Sequence, residues 1–220
     1  MNSDISIVIP CYLQGEYVEE AIASCLSQSL LPEDIFVILM DPASQALILN
    51  PRVQCFRVPQ MHVSAARNFG YRKVQTNWVL PLDADDILPL NYLAELSKLR
   101  DQADVIYTGL IDFNKFVQIK KPAAIVAEPA LMATKFSPIN ALSTIDAWRE
   151  VGGYDETFIE DDEIREYWLH LISKGKTFKA CTTTFLNRRI HGDCRTTLTN
   201  KHRIQTMQRL RAMYPTLIRG

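Results

Sequence analysis

Residues 80–88 read Leu80-Pro81-Leu82-Asp83-Ala84-Asp85-Asp86-Ile87-Leu88, and the rest of the chain is organised around them. Three carboxylates, Asp83, Asp85 and Asp86, follow directly on an apolar run, residues 78–82, whose length and composition are those of a buried strand. In an α/β sheet, ligands settle beyond the carboxyl ends of the strands, which is where these acids would stand. Asp83 and Asp85 are two apart, so in extended chain they project the same way, with roughly 6–7 Å between Cα atoms. Two carboxylates that close repel unless a cation lies between them or one takes up a proton. Oxygen donors of this kind suit Mg²⁺ or Mn²⁺, which keep waters and share substrate phosphates. The plainer alternative is an acidic turn capping the next helix, with Asp85 or Asp86 as N-cap shortly before Pro89. Spacing alone does not choose between them.

The surroundings do more. Upstream, residues 5–10 and 35–40 are apolar, β-compatible runs, the second ending on Asp41, and residues 53–58 form a third that Pro59 closes. Between them, residues 16–28 place Val18, Ala21, Ile22, Cys25 and Leu26 on one helical face. Residues 64–74 predict a second helix, with Arg67 and Asn68 in its first turns, and residues 89–100 a third. Strand and helix therefore alternate over the first hundred residues, the pattern of a mostly parallel sheet covered on both faces. Parallel strands share a C-terminal edge, so Asp41 and Asp83 converge on one side of the sheet. Alone, Asp41 reads as a turn residue before Pro42 and Arg67 as a solvated helix residue; together they can line one pocket. Beyond residue 104 the pattern loosens. Strands are expected at 105–107, 117–119, 124–126, 178–181 and 185–190, a loop at 137–140, a short amphipathic piece ending at Gly152-Gly153, and helices at 160–173 and 200–214. The first of these two helices carries its acids at the N-terminal end, where the macrodipole favours them.

Bulk properties exclude several classes. A net charge of −1 gives no basic surface for nucleic acid. Five scattered cysteines without CxxC spacing read as reduced thiols, neither a disulfide frame nor a zinc site. The first residues lack the basic and apolar regions of a signal peptide, and no apolar run approaches the ~20 residues a spanning helix needs. A soluble cytoplasmic protein of one compact domain, residues 1–220, is expected.

Taken in order, the motifs resemble those of the inverting family-two glycosyltransferases with the GT-A fold. Residues 5–12, Ile-Ser-Ile-Val-Ile-Pro-Cys-Tyr, look like that family's first strand and Pro-x-Tyr turn. Residues 37–44, Val-Ile-Leu-Met-Asp-Pro-Ala-Ser, are similar to its second strand and trailing Asp-Asp-Gly-Ser. Residues 63–70, Val-Ser-Ala-Ala-Arg-Asn-Phe-Gly, match its Ala-Arg-Asn-x-Gly helix, and residues 78–86 its strand and Asp-x-Asp motif. Residues 151–156 resemble the loop before the acceptor site, Glu160-Asp161 its Glu-Asp pair, and residues 189–193 its late Arg-x-His segment.

The resemblance implies a mostly parallel GT-A (Rossmann-like) sheet, with about 1–108 as the nucleotide-sugar half and about 109–220 as the acceptor half and C-terminal helix. It implies a nucleotide-diphosphate sugar donor, UDP-linked by preference, and a carbohydrate or lipid-linked glycan acceptor of the kind used in bacterial surface polysaccharide assembly. Transient visits to the inner face of a membrane would follow from a lipid-linked acceptor. Donor-nucleotide contacts fall on Pro10, Cys11, Tyr12, Glu16, Asp41, Arg67, Asp83 and Ala84. A Mn²⁺ or Mg²⁺ ion falls to Asp85, Asp83 and His191, where it would stabilise the departing diphosphate. A sugar hydroxyl is a weak nucleophile and needs a general base: Asp161, with Asp162 as the alternative. Glu160 and Trp168 fall on the acceptor side.

The chain also departs from the pattern. Pro42-Ala43 replaces the usual Asp-Gly, Leu13 stands where asparagine is usual, His62 where glycine is common, and Cys194 where serine is usual. These departures keep a second reading in play, a nucleotide-sugar-binding relic without turnover. A third, a sugar nucleotidyltransferase, would want a basic glycine-rich loop after the first strand, which residues 11–16 do not supply.

Overall fold

A computed structural model describes residues 3–44, 49–122, 140–158, 162–191 and 200–218, with residues 200–203 described in backbone only. The expected strand at 124–126, nearly all of the 137–140 loop, Glu160, Asp161 and residues 192–193 lie outside the described residues.

The first half follows the expected alternation. Strand β1 (Ile5–Cys11) leads to α1 (Val18–Leu26), β2 (Asp34–Leu39), β3 (Val53–Arg57), α2 (Val63–Tyr71), β4 (Trp78–Pro81) and α3 (Tyr92–Ser97). The second half holds β5 (Val105–Asn114), β6 (Gln118–Lys120), β7 (Leu142–Thr144), α4 (Ile145–Val151), α5 (Asp162–Ser173), β8 (Phe178–Ile190) and α6 (Asn200–Met213). Among the described residues, eight strands join one sheet in the order β3-β2-β1-β4-β7-β5-β6, with β8 on the other edge of β5. Strands β1 to β4 are mutually parallel. The short β7 runs against both β4 and β5 and splices the parallel half to the rest. Two departures stand out. β7 has three residues, too few to show a period. The two late strands expected from sequence are one long strand, whose pairing with β5 shifts register between Tyr107 and Gly109.

Alternation along the strands sorts the core into two layers. Ile5, Ile7, Ile9 and Cys11 of β1 face α1 and α3, with Val18, Ile22, Tyr92 and Leu96. Val8 faces α2, α4 and α5, with Ala66, Tyr71, Ile145 and Trp168. A third, smaller cluster holds α6 against α5 through Leu169, Leu210, Tyr214 and Phe158. Gly70 lets α2 lie directly on β1, since a Cβ there would come within 2.3 Å of Val8 Cγ1. Pro10 lies beyond the β1–β4 ladder and Pro81 beyond the β4–β7 ladder, so their missing N–H groups cost no bond on those sides. The strands end there, and the chain leaves the sheet to form the loops of the candidate site.

Candidate functional site

Three chain segments meet at the C-terminal edge of β1, β2 and β4: the turn after β1, the Asp41 loop after β2, and the acidic loop after β4. The end of β8 joins them from the far side. A pair of backbone hydrogen bonds between Ile87 and Asn187 zips the acidic loop to β8. Asp86 Oδ1 accepts from the Arg189 amide at 3.1 Å, and Arg189 Nε donates to the Asp85 carbonyl at 3.1 Å. Arg189 is itself held by Glu20 of α1 and lies over the rings of Tyr17 and Phe113 at 4.7 and 4.8 Å. This fastening brings His191 Nε2 to 2.8 Å from Asp85 Oδ2. Gln14, from the turn after β1, donates to the same oxygen at 3.0 Å.

Asp83 is gripped from below. Arg67 of α2, only 2% exposed, donates to Asp83 Oδ1 at 2.9 Å and to Glu163 Oε1 of α5 at 3.2 Å. Burial disfavours the Arg67 charge, but the two carboxylates outweigh it and hold the guanidinium firmly protonated. One buried arginine thus ties the acidic loop to the first turn of α5. Next to it, Asn68 secures the loop at 153–156: Oδ1 accepts from the Tyr154 amide and Trp148 Nε1, and Nδ2 donates to the Tyr154 carbonyl and Glu156.

The carboxylates of the acidic loop are crowded. Burial pushes the Asp85 carboxyl above its ordinary value and Asp83 adds repulsion, with the His191 contact opposing both. Burial and the charges of Asp83 and Asp85 push Asp86 much further up. Asp41 is the opposite case. Burial works against its charge, yet hydrogen bonds from Ser44 Oγ and the amides of Leu13, Ser44 and Ala43 prevail and hold it below the usual range. Those four donors occupy the four acceptor positions of a carboxylate. Arg57 braces the same loop by donating to the carbonyls of Asp41 and Ser44.

Of the residues singled out from sequence, Asp83, Asp85, His191 and Arg67 come together as one cluster. Pro10 and Cys11 are buried in β1, and burial raises the Cys11 thiol, so they shape the floor of the edge. Ala84 is buried within the acidic loop, Glu16 is exposed beside α1, and the Tyr12 hydroxyl accepts from Gln60. Asp162 is buried and accepts from Arg165 one turn along α5. Trp168, expected on the acceptor side, is instead 2% exposed, stacked on Phe178 at 5.0 Å and edge-on to Tyr107. Its place on α5 faces the core, so it offers no surface to an acceptor. Sequence reading gave no role to Gln14, Glu163, Asn68 or Arg189. Arg189 stood inside the quoted late motif and Asn68 inside the α2 motif, Glu163 lay among the acids that open the helix expected at 160–173, and Gln14 had no signal.

The profile of the family described as Glycosyl transferase family 2 matches residues 6–191, from β1 to the histidine on Asp85. The chain belongs to that family. An uncharacterized glycosyltransferase of Haemophilus influenzae is 36% identical over 38% of this chain and 37% of that protein. The chondroitin synthase of Pasteurella multocida is 24% identical over 86% of this chain and 21% of that protein. The chain thus spans between about a fifth and two fifths of the length of these curated relatives. Among solved structures, S. aureus TarS in complex with UDP-GlcNAc superposes with a TM-score of 0.73, covering 96% of this chain and 66% of that one at 14% identity. At that identity the likeness shows a shared GT-A-like fold.

Enzymes of family 2 generally use a divalent cation, and the donor set here can be tested for one. Among the described residues, no group of three or more His, Cys, Asp and Glu is arranged to hold a metal on its own. The cluster of this family-2 chain nonetheless fits a partial site. Two hard carboxylates, one of them crowded enough by burial and by its neighbour to have its charge disfavoured, lie beside an imidazole, and Mg²⁺ and Mn²⁺ are completed by water and substrate phosphate rather than by an all-protein cage.

Proposed function

We propose that this domain is an inverting glycosyltransferase that moves a sugar from a nucleotide-diphosphate donor, UDP-linked by preference, to an acceptor hydroxyl. The observation that carries the reading is the edge formed by Asp83, Asp85 and His191, locked by Arg67 beneath and Arg189 beside it. A divalent cation held there by Asp85 and Asp83, with His191 alongside, would neutralise charge growing on the diphosphate as the sugar departs. Gln14 and His191 orient Asp85, and Arg67 fixes the carboxylate of Asp83. The turn at Cys11 and Tyr12 and the Asp41 loop form the wall for the base. Because Asp41 already receives four hydrogen bonds, it serves that wall chiefly by holding Leu13 and Ser44 in place.

Inversion needs a base on the face opposite the leaving group. Asp161 is assigned that role. Asp162, the alternative, is buried and engaged with Arg165 of its own helix, which suits a helix start better than a residue meeting an acceptor. Arg67 links α5, and so the segment bearing both acids, to the donor edge. The acceptor half and the peripheral cytoplasmic setting follow from the same reading, the acceptor being a carbohydrate or lipid-linked glycan.

The test is turnover. UDP-sugars incubated with the protein and Mn²⁺ should release UDP slowly without acceptor, and EDTA or Asp85→Ala should abolish release. Asp161→Asn should spare donor binding and remove transfer. If Asp161→Asn transfers normally while Asp162→Asn does not, the base assignment moves by one residue. Binding without any release in the presence of candidate acceptors would favour the relic reading.

A further inference from the structure

Positions 114–119 are all exposed, and three of these six carry large apolar side chains: Phe116 at 52%, Val117 at 78% and Ile119 at 61%. They form the turn between β5 and β6 and the start of β6. The register sets Ile119 opposite Ile111 and Gln118 opposite Asp112. Since side chains alternate, Val117 and Ile119 share a face with Ile111 and Phe113, both only partly buried. The result is a continuous apolar strip with Phe116 at its tip. Single exposed apolar residues are ordinary, whereas a contiguous group marks an interaction surface.

Charge narrows the partner. Lys115, Lys120 and Lys121 fall within seven residues, in a chain whose net charge is −1. Asp112, the one carboxylate in residues 110–122, is already paired with Lys120 and with Arg188 of β8. Lys115 and Lys121 are exposed beside the apolar strip. Lysines on an edge strand ordinarily guard against sheet-to-sheet aggregation. That accounts for the lysines but not for the three apolar neighbours, which would promote it. Apolar side chains bracketed by cations match the boundary between acyl chains and anionic headgroups. The place fits as well. Asn114 pairs with Ile190, so the hairpin tip stands next to His191, at the rim of the donor edge.

We propose that the hairpin at 114–121 is a docking surface for an anionic lipid bilayer. Phe116, Val117 and Ile119 enter the headgroup–acyl boundary, Lys115 and Lys121 meet lipid phosphates, and the donor edge is held against the surface. No described helix is long and apolar enough to cross a membrane, so this contact is superficial. The inference stands on exposure and charge and is read without turnover, so it survives or fails separately from the donor assignment.

Co-sedimentation with phosphatidylcholine vesicles, with and without phosphatidylglycerol, tests it on the wild type and on the pairs Phe116→Ser/Val117→Ser and Lys115→Gln/Lys121→Gln. The wild type should pellet with the phosphatidylglycerol vesicles and much less with phosphatidylcholine alone. Each lysine neutralised should weaken binding about fivefold, or about 25-fold for the pair. The apolar pair should weaken it by at least about tenfold. Gel filtration and an unchanged thermal melt show that the variants are folded. A wild type that stays in the supernatant, or an apolar pair that pellets like the wild type, overturns the proposal. So does a wild-type dimer that the apolar substitutions convert to monomer, which would assign the strip to a second copy of the chain.

Discussion

Two loops leave the same sheet edge with only β1 between their strands, and they treat negative charge in opposite ways. The loop after β2 surrounds Asp41 with four hydrogen-bond donors and stabilises its charge. The loop after β4 sets Asp83, Asp85 and Asp86 close together, and burial with mutual repulsion disfavours the charge on Asp85 and Asp86. A carboxylate with all its acceptor positions filled is a brace. Carboxylates crowded at a strand end, anchored by Arg67, Gln14 and His191 on selected oxygens, are a place for a cation. The chemistry of the edge belongs to the second loop, and its shape to the first.

The sharpest way to break this contrast is to remove the anchor. Arg67→Ala strips the buried counter-charge from both Asp83 and Glu163, and breaking such a pair typically costs 3–5 kcal/mol. Urea unfolding should show a loss of about that size, with Arg67→Lys recovering only part of it; a loss below about 1 kcal/mol would mean the acids do not depend on it. Next comes the direct comparison. Asp41→Ala leaves the Leu13 and Ser44 donors unpaired and should cost about 2–3 kcal/mol. Asp85→Ala removes a disfavoured charge and should change stability by no more than about 1 kcal/mol. Equal losses in thermal or chemical denaturation would erase the distinction between brace and site.

Asp112 supplies a reference away from the edge. It is buried on β5, gripped by Arg188 through both oxygens at 2.8 and 3.0 Å and by Lys120. Burial opposes its charge, but these partners prevail and hold its carboxyl below the usual aspartate range. The stabilisation is therefore complete above the unfolded value and is lost as pH falls through the depressed folded one. Both partners are about one-third exposed, so Asp112→Asn should cost about 2 kcal/mol at neutral pH, and the gap to wild type should close below about pH 4. The smallest effect lies at Leu13, whose φ of 54° is a conformation asparagine adopts with less strain. Leu13→Asn should stabilise by about 1 kcal/mol.

What sequence made legible follows from how local each feature is. The parallel half was readable because its strands are short β-compatible runs and its helices between them carry apolar residues at helical spacing. Acids at strand ends locate the edge once the strands are known to be parallel. The splice strand β7 was not readable, because Leu142–Thr144 is too short to show alternation and exists through its pairing with β4 and β5. The union of two late runs into β8 depends on a register shift against β5 that only the partner strand reveals. Within the site, Asp83, Asp85 and His191 were named from their motifs. Of their supports Arg67 was named as well, whereas Gln14, Glu163 and Arg189 were missed because each enters through a contact across 70 or more residues: Gln14 to Asp85, Glu163 to Arg67, Arg189 to the acidic loop. The burial of Trp168 escaped the sequence for the same reason. Its motif position gave its helix, and only the packing gave the face.

The most direct measurement is calorimetric titration of UDP into wild type and Asp85→Ala, each with Mn²⁺ and with EDTA, beside GDP and dTDP. The predicted result is UDP binding that requires Mn²⁺ and falls by at least about 100-fold in Asp85→Ala, as expected when two or more charge-assisted interactions are removed. UDP binding that is indifferent to both metal and Asp85, or no diphosphate binding under any condition, would contradict the assignment of the acidic loop as the donor site.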